Sequence, residues 1–154
     1  LWLPHMPEEY GGMGLGHVAM AAVSAEAARA RFGPFALNAQ APDEGNMHTL
    51  LHWATDAQKE KYPKPLCEGR TWSCFAMTEP DVASSDPTQL QTHAELVDGE
   101  WVINGHKWFT SGADRAAYTT VMCRTEPEAA NHDAFSMIVV PTDTPGYNIV
   151  RDVA

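Results

Sequence analysis

Two short stretches carry side chains better suited to binding than to packing. Thr78 to Asp86 (TEPDVASSD) sets Thr78, Glu79, Ser84, Ser85 and Asp86 in a proline-stiffened loop. Its hydroxyls and backbone N–H groups can meet carbonyl or phosphate oxygens. Trp108-Phe109-Thr110-Ser111-Gly112 places adjacent aromatics beside hydroxyls, a combination that can lie flat on a heterocycle while hydrogen-bonding its edge. Each stretch also has a plain structural reading, a long polar connector in the first case and a sheet core ending in a turn in the second. Neither names a ligand by itself.

Other constellations are weaker. His48 and His52 stand four apart and could share a helix face, but Thr49 occupies the place where a zinc-hydrolase helix carries glutamate, and no third ligand is evident. They read as two polar residues on a partly buried helix, and no metal site is expected. Gly14-x-Gly16-x-x-Ala19 fits relaxed dinucleotide spacing. That fingerprint needs a buried strand before it, and MPEEYGG offers a proline and two glutamates, so the glycines read as a turn feeding a helix. Ser84 and Ser85 lie in no G-x-S-x-G turn, and Cys74 reads as a small core residue inside a strand.

The elements that must position these residues change character near Gly69 to Thr71. Before that point the chain reads as helical. Val18 to Arg31 is alanine-rich, with Val18, Ala22, Ala25 and Ala28 on one stripe, implying close helix packing. Asn46 to Trp53 has helical spacing, Thr55-Asp56 can cap DAQKEKY, Pro63 and Pro65 interrupt it, and Gly69 ends a short piece holding Leu66 and Cys67. Beyond it the pattern is β. Thr71 to Met77 is a strand, and Leu90 to Val97, Glu100 to Ile103 and His106 to Thr110 read as three antiparallel strands joined by Asp98-Gly99 and Asn104-Gly105. Tyr118 to Arg124 and Phe135 to Val140 add two more, and Tyr147 to Val150 starts another. The expected class is α+β, a helical segment over 1–70 followed by an antiparallel β-barrel-like domain over 71–154.

Composition narrows the function classes. The 154 residues are 44% apolar, enough for a core, and carry ten Lys plus Arg against twenty Asp plus Glu. A formal charge of -10 opposes nucleic-acid binding through the phosphate backbone. The three cysteines, Cys67, Cys74 and Cys123, are odd in number and form no C-x-x-C, which speaks against a disulfide framework or structural zinc and fits reducing surroundings. No apolar run approaches the ~20 residues of a membrane span, and the N-terminal LWLPHMPEEY lacks the features of a secretory signal. The compartment is left open.

FAMTEPDVASSD (75–86), VINGHKWFTSG (102–112) and SMIVVPTDTPGYNI (136–149), preceded by PEEYGGMGL (7–15), together resemble the acyl-CoA dehydrogenase family. The four motifs stand in the family's order between positions 7 and 149, so the resemblance covers essentially the whole chain. The family's members are longer at both ends, so the resemblance implies a fragment: a partial N-terminal helical domain, an incomplete middle β domain, and no C-terminal helical domain. It implies FAD as cofactor. Phe75, Ala76, Met77, Thr78, Ser84 and Ser85 would line the flavin, with the Thr78 hydroxyl beside the ring's polar edge. Ser85, next to Asp86, would contact cofactor phosphate or the CoA thioester, with Ser84 as its rival. Phe109 takes the place of a flavin-adjacent tryptophan, a departure from the family that leaves Trp108 as an alternative. Thr110 shares that ambiguity, and Ser111 takes the place of the hydroxyl donor near flavin N5. Glu79 would shape the loop.

The implied reaction is α,β-dehydrogenation of an acyl-CoA in fatty acid β-oxidation. A glutamate base takes the α-proton, hydride passes from the β-carbon to flavin N5, and hydrogen bonds polarise the thioester oxygen. That glutamate belongs to the family's C-terminal domain, so Glu79, Glu95 and Glu100 are not assigned to it. Implied partners are the acyl-CoA substrate, an electron-transfer flavoprotein and further copies of the full-length chain in a dimer or tetramer. Competing readings are a non-catalytic acyl-CoA or protein-binding module, and a flavin oxidase of the same fold.

Overall fold

The computed structural model describes residues 1–83 and 86–153, so the expectations placed on Ser84 and Ser85 lie outside the described residues. It divides into two compact units, Leu1–Ser73 and Cys74–Ala154. The class is α+β.

The first unit is helical: α1 His17–Ala27, α2 Gly33–Ala36, α3 Asp43–Trp53, α4 Asp56–Lys61 and α5 Pro63–Cys67. The glycine cluster wraps residues 3–7, with Gly14 N–H donating to the Met6 carbonyl and Leu15 N–H to that of Pro4. Gly12 is there for close approach, because a Cβ would fall 2.0 Å from the Met6 oxygen. No strand precedes it, as expected of a turn rather than a nucleotide loop. Thr55 and Gln58 close a full capping box on α4. One expectation needs correction. α1 stops at Ala27, short of Arg31, and buries no residue within this chain, so its alanines do not pack closely here. As expected, the helix that Thr55 caps is interrupted at the prolines: α4 ends at Lys61, and Pro63 opens α5, where the missing N–H of a first-turn proline costs nothing. The last residue of the unit, Ser73, is fastened by Asp43 of α3, whose Oδ1 accepts from both the N–H (2.8 Å) and hydroxyl (2.7 Å) of Ser73.

The second unit is a five-stranded sheet of β1 Ser73–Ala76, β2 His93–Val97, β3 Glu100–Asn104, β4 Tyr118–Arg124 and β5 Phe135–Pro141. The long strand β4 is its hub, pairing with β1, β2 and β5. β5 runs antiparallel to it from Tyr118↔Pro141 to Arg124↔Phe135. Ala76, Ala94, Val121 and Cys123 form the core, with Ile103, Ile138 and Val140 packed against it. The expected antiparallel, barrel-like domain is an open sheet among the described residues, and it is mixed because β2 meets β4 in parallel at His93↔Arg124.

The two Gly dipeptides behave differently. Asp98 and Gly99 both take positive φ (52° and 85°), as a tight hairpin demands, and β2 and β3 pair from His93↔Asn104 to Val97↔Glu100. Gly105 has no such φ. His106 to Thr110 therefore forms no third strand, and Tyr147 to Val150 is not a strand either. A Cβ on Gly105 would fall 2.1 Å from Thr92 Oγ1, so glycine is required there by contact and not by a turn.

Candidate functional site

The loop after β1 and the stretch after β3 meet around a buried carboxylate. Glu79 is 4% exposed. Its Oε2 accepts from the backbone N–H of Gln91 (2.7 Å), and its Oε1 from Thr92 N–H (2.9 Å) and Lys107 Nζ (2.8 Å). The same Nζ donates to the Met77 carbonyl at 2.8 Å, and Trp108 N–H donates to the Thr78 carbonyl at 3.0 Å. Residues 77–79, 91–92 and 107–108 are thus held together by one ion pair and its hydrogen bonds.

Burial pushes the Glu79 carboxyl upward, but Lys107 and the two backbone donors outweigh it and hold it at about 2. Lys107 is lowered by burial, which its pairing with Glu79 offsets in part. At neutral pH Glu79 is a carboxylate whose oxygens are engaged, fit to shape a loop and unfit to shuttle a proton. Glu95 and Glu100 are exposed on β2 and β3.

Among the expected site residues, Ala76 belongs to the core, while Phe75, between buried Cys74 and Ala76, faces the other side of β1 and is half-buried. Met77 contributes its carbonyl to Lys107. Thr78 is half-buried, and its hydroxyl has no partner among the described residues. Trp108 and Phe109 pack with ring centroids 4.7 Å apart and planes at 50°. Phe109 remains 61% exposed and takes φ 51°, a left-handed conformation unusual for a bulky residue. Thr110 is half-buried and Ser111 exposed. The structure therefore brings Thr78 and Trp108-Phe109 to one edge of the second unit. Lys107 escaped the sequence reading. Its partners lie 28 and 30 residues away, and no local spacing signals them.

A cavity of about 240 Å³ adjoins the loop, lined by Glu79 to Asp81, Gln91 to His93 and Asn104 to His106. It is smaller than the ~300–1,000 Å³ of an enclosing ligand pocket, so this chain offers a wall rather than an enclosure. A larger hollow of about 630 Å³ lies over β2, Trp101 and Arg124 to Pro127 and includes none of the expected site residues.

Family models describing the acyl-CoA dehydrogenase N-terminal and middle domains match residues 1–70 and 74–154. The mouse acyl-CoA dehydrogenase family member 10 is 41% identical over 150 residues, which is 96% of this chain and 14% of that protein. The Mycobacterium tuberculosis (strain ATCC 25618 / H37Rv) protein named probable acyl-CoA dehydrogenase FadE2 is 48% identical over 120 residues, 77% of this chain and 30% of that one. A solved Mycobacterium abscessus structure, a candidate acyl-CoA dehydrogenase, superposes with TM-score 0.89 at 39% identity, covering 94% of this chain and 36% of the other. A Mycobacterium smegmatis glutaryl-CoA dehydrogenase, solved in complex with FADH2, gives 0.74 at 28% identity over 94% and 35%. The chain thus spans a third or less of the two curated relatives' lengths and about a third of each solved chain. Matched along nearly its whole length in both sequence and fold, the chain belongs to the acyl-CoA dehydrogenase family, of which it carries N-terminal and middle domain segments.

Proposed function

We propose that this chain forms one wall of the flavin and thioester site of an acyl-CoA dehydrogenase, the whole protein catalysing FAD-dependent α,β-dehydrogenation of an acyl-CoA. The observation that carries this reading is the 3.0 Å hydrogen bond from Trp108 N–H to the Thr78 carbonyl. It sets half-buried Trp108 and exposed Phe109 beside Thr78, whose hydroxyl has no partner among the described residues. Those residues fit a flavin: rings to cover its face and exclude water, and a donor for its polar edge. The neighbouring FADH2-bound glutaryl-CoA dehydrogenase supports the same choice of cofactor.

FAD, when bound, supplies the hydride acceptor. The chain's own work is positional. Thr78 and Ser111 offer hydrogen bonds, Phe109 and Trp108 offer apolar faces, and Lys107 with Glu79 fixes the distance between them. Ser84 and Ser85 are proposed as contacts to cofactor phosphate or thioester. The general base is proposed to lie in a C-terminal helical domain, since Glu79 is fully engaged as a structural carboxylate. An electron-transfer flavoprotein and further copies of the full-length chain are the proposed partners. The similar ChsE4-ChsE5 complex of Mycobacterium tuberculosis is itself an assembly of more than one chain.

The full-length protein should purify yellow, with a flavin absorbance spectrum bleached by acyl-CoA. The 154-residue chain, given acyl-CoA, FAD and an electron acceptor, should show no turnover. Steady turnover by the chain alone would overturn the placement of the base, and a colourless full-length protein that binds acyl-CoA would overturn the flavin.

A further inference from the structure

The histidine pair visible in the sequence resolves into a different constellation. His48 is joined by His5, 43 residues earlier, and by Glu44, one helical turn before it on α3. We propose that His5, Glu44 and His48 form a binding site for a divalent transition-metal ion, with Zn²⁺ the best-matched ion. One donor atom from each lies within 4.8 Å of the others.

The geometry specifies which lone pairs are free. His5 Nε2 lies 3.1 Å from the Asn38 carbonyl, and a carbonyl only accepts, so that nitrogen carries the proton. His5 Nδ1 then presents its lone pair toward His48 Nε2 at 3.0 Å. Two ligands on a tetrahedral Zn²⁺, each at about 2.0–2.1 Å, stand roughly 3.3 Å apart. The two imidazoles therefore already sit near ligand spacing, and an ion between them takes the place of the shared proton. Glu44, at i−4 from His48, supplies the third donor by a side-chain rotation.

The surroundings are those of a built site. A ring N–H given to a backbone carbonyl is the usual outer contact that orients a ligating histidine. The Asn38 carbonyl is itself fixed: Asn38 takes φ 52°, is 5% exposed, and donates through Nδ2 to the Leu66 carbonyl at 3.0 Å. His5 is 8% exposed, so its orientation is set by packing. Two nitrogens and one carboxylate oxygen favour Zn²⁺ or its first-row neighbours over Mg²⁺ or Ca²⁺, and three protein ligands leave a position open for water. An ion here ties the N-terminal segment to α3.

The test uses the full chain, stripped with a chelator and titrated calorimetrically with Zn²⁺, with Co²⁺ as the spectroscopic probe. The expected result is saturable binding of one ion per chain, Co²⁺ d–d bands of tetrahedral intensity, and a melting temperature that rises with Zn²⁺ concentration. Glu44→Gln and His48→Gln should each weaken binding by roughly tenfold or more, and His52→Gln should leave it unchanged. Should His5→Gln fail to fold, Glu44→Gln, at a half-buried position, still decides the matter. Absence of saturable binding by the folded chain, or binding lost in His52→Gln and kept in Glu44→Gln, would overturn the proposal.

Discussion

A carboxylate that accepts from two backbone N–H groups and an ammonium loses those interactions when it is protonated, so the stability Glu79 contributes depends on pH in a definite direction. Its folded-state value of about 2 lies below the ordinary 4.5. The contribution is therefore complete above the unfolded value and is lost as pH falls through the interval toward 2. The shift corresponds to roughly 3 kcal/mol. Glu79→Gln should lose about that much at pH 7 in urea unfolding, and its stability should then fall less steeply than the wild type's between pH 4.5 and 2.5. Parallel slopes would show that Glu79 is not the titrating group. Phe109 tests function at the same scale. Its φ of 51° strains the backbone by about 1–2 kcal/mol, so Phe109→Gly should relieve as much as it costs in chain entropy and change stability by less than about 1 kcal/mol. Flavin affinity of the full-length protein should nonetheless drop at least roughly tenfold, as read by fluorescence titration. That Thr78 and Trp108-Phe109 would come to one edge was implied by their types and motif order, and Trp108 N–H does meet the Thr78 carbonyl. Lys107 was not legible, because its role exists only after two distant segments have been brought together.

Elements were readable where their determinants are local. Asp98-Gly99 closes the β2–β3 hairpin because both residues take positive φ, and Thr55 starts α4 because its side chain meets Gln58 three residues on. Thr55→Ala should cost about 1 kcal/mol in thermal or urea unfolding. Asn104-Gly105 has the same local signature and a different fate. The backbone N–H of Trp108 is claimed by Thr78 and the ammonium of Lys107 by Met77 and Glu79, so residues 106 to 110 are drawn to the β1 loop instead of folding back on β3. Gly105→Ala should destabilise by about 1–3 kcal/mol through overpacking against Thr92. Thr92→Ala in the same chain should restore only part of that, since the Thr92 Cβ is itself 2.6 Å from the added methyl. Full tolerance of Gly105→Ala would mean that the dipeptide is a turn after all. The parallel contact of β2 with β4 was equally hidden, for it joins residues 31 apart through a single pairing, His93↔Arg124.

Taken as a whole, the molecule sets a large negative charge against apolar surface that it leaves uncovered. Val18 is 89% exposed, Trp53 85%, Val150 75% and Leu96 61%. The alanine stripe of α1 predicts a packed helix, and α1 buries nothing within the chain. Periodicity reports that a face is apolar and is silent on what covers it. Apolar side chains in such number favour association, while a charge of -10 opposes it through mutual repulsion. Repulsion depends on pH and salt, and apolar attraction depends on them far less. With a pI of about 5.0, the chain approaches neutrality as pH falls from 7 to 5. The isolated chain should therefore scatter light as a small species at pH 7.5 in low salt and grow in apparent mass near pH 5. At pH 7.5, raising salt to about 1 M, where the screening length falls to roughly 3 Å, should produce part of the same growth. Val18→Glu and Leu96→Glu together should suppress that growth more than their added charge alone accounts for, with an exposed Ser24→Glu and Gln91→Glu pair as the charge-matched control. Equal suppression by both pairs would show that charge governs association and that the uncovered apolar faces do not.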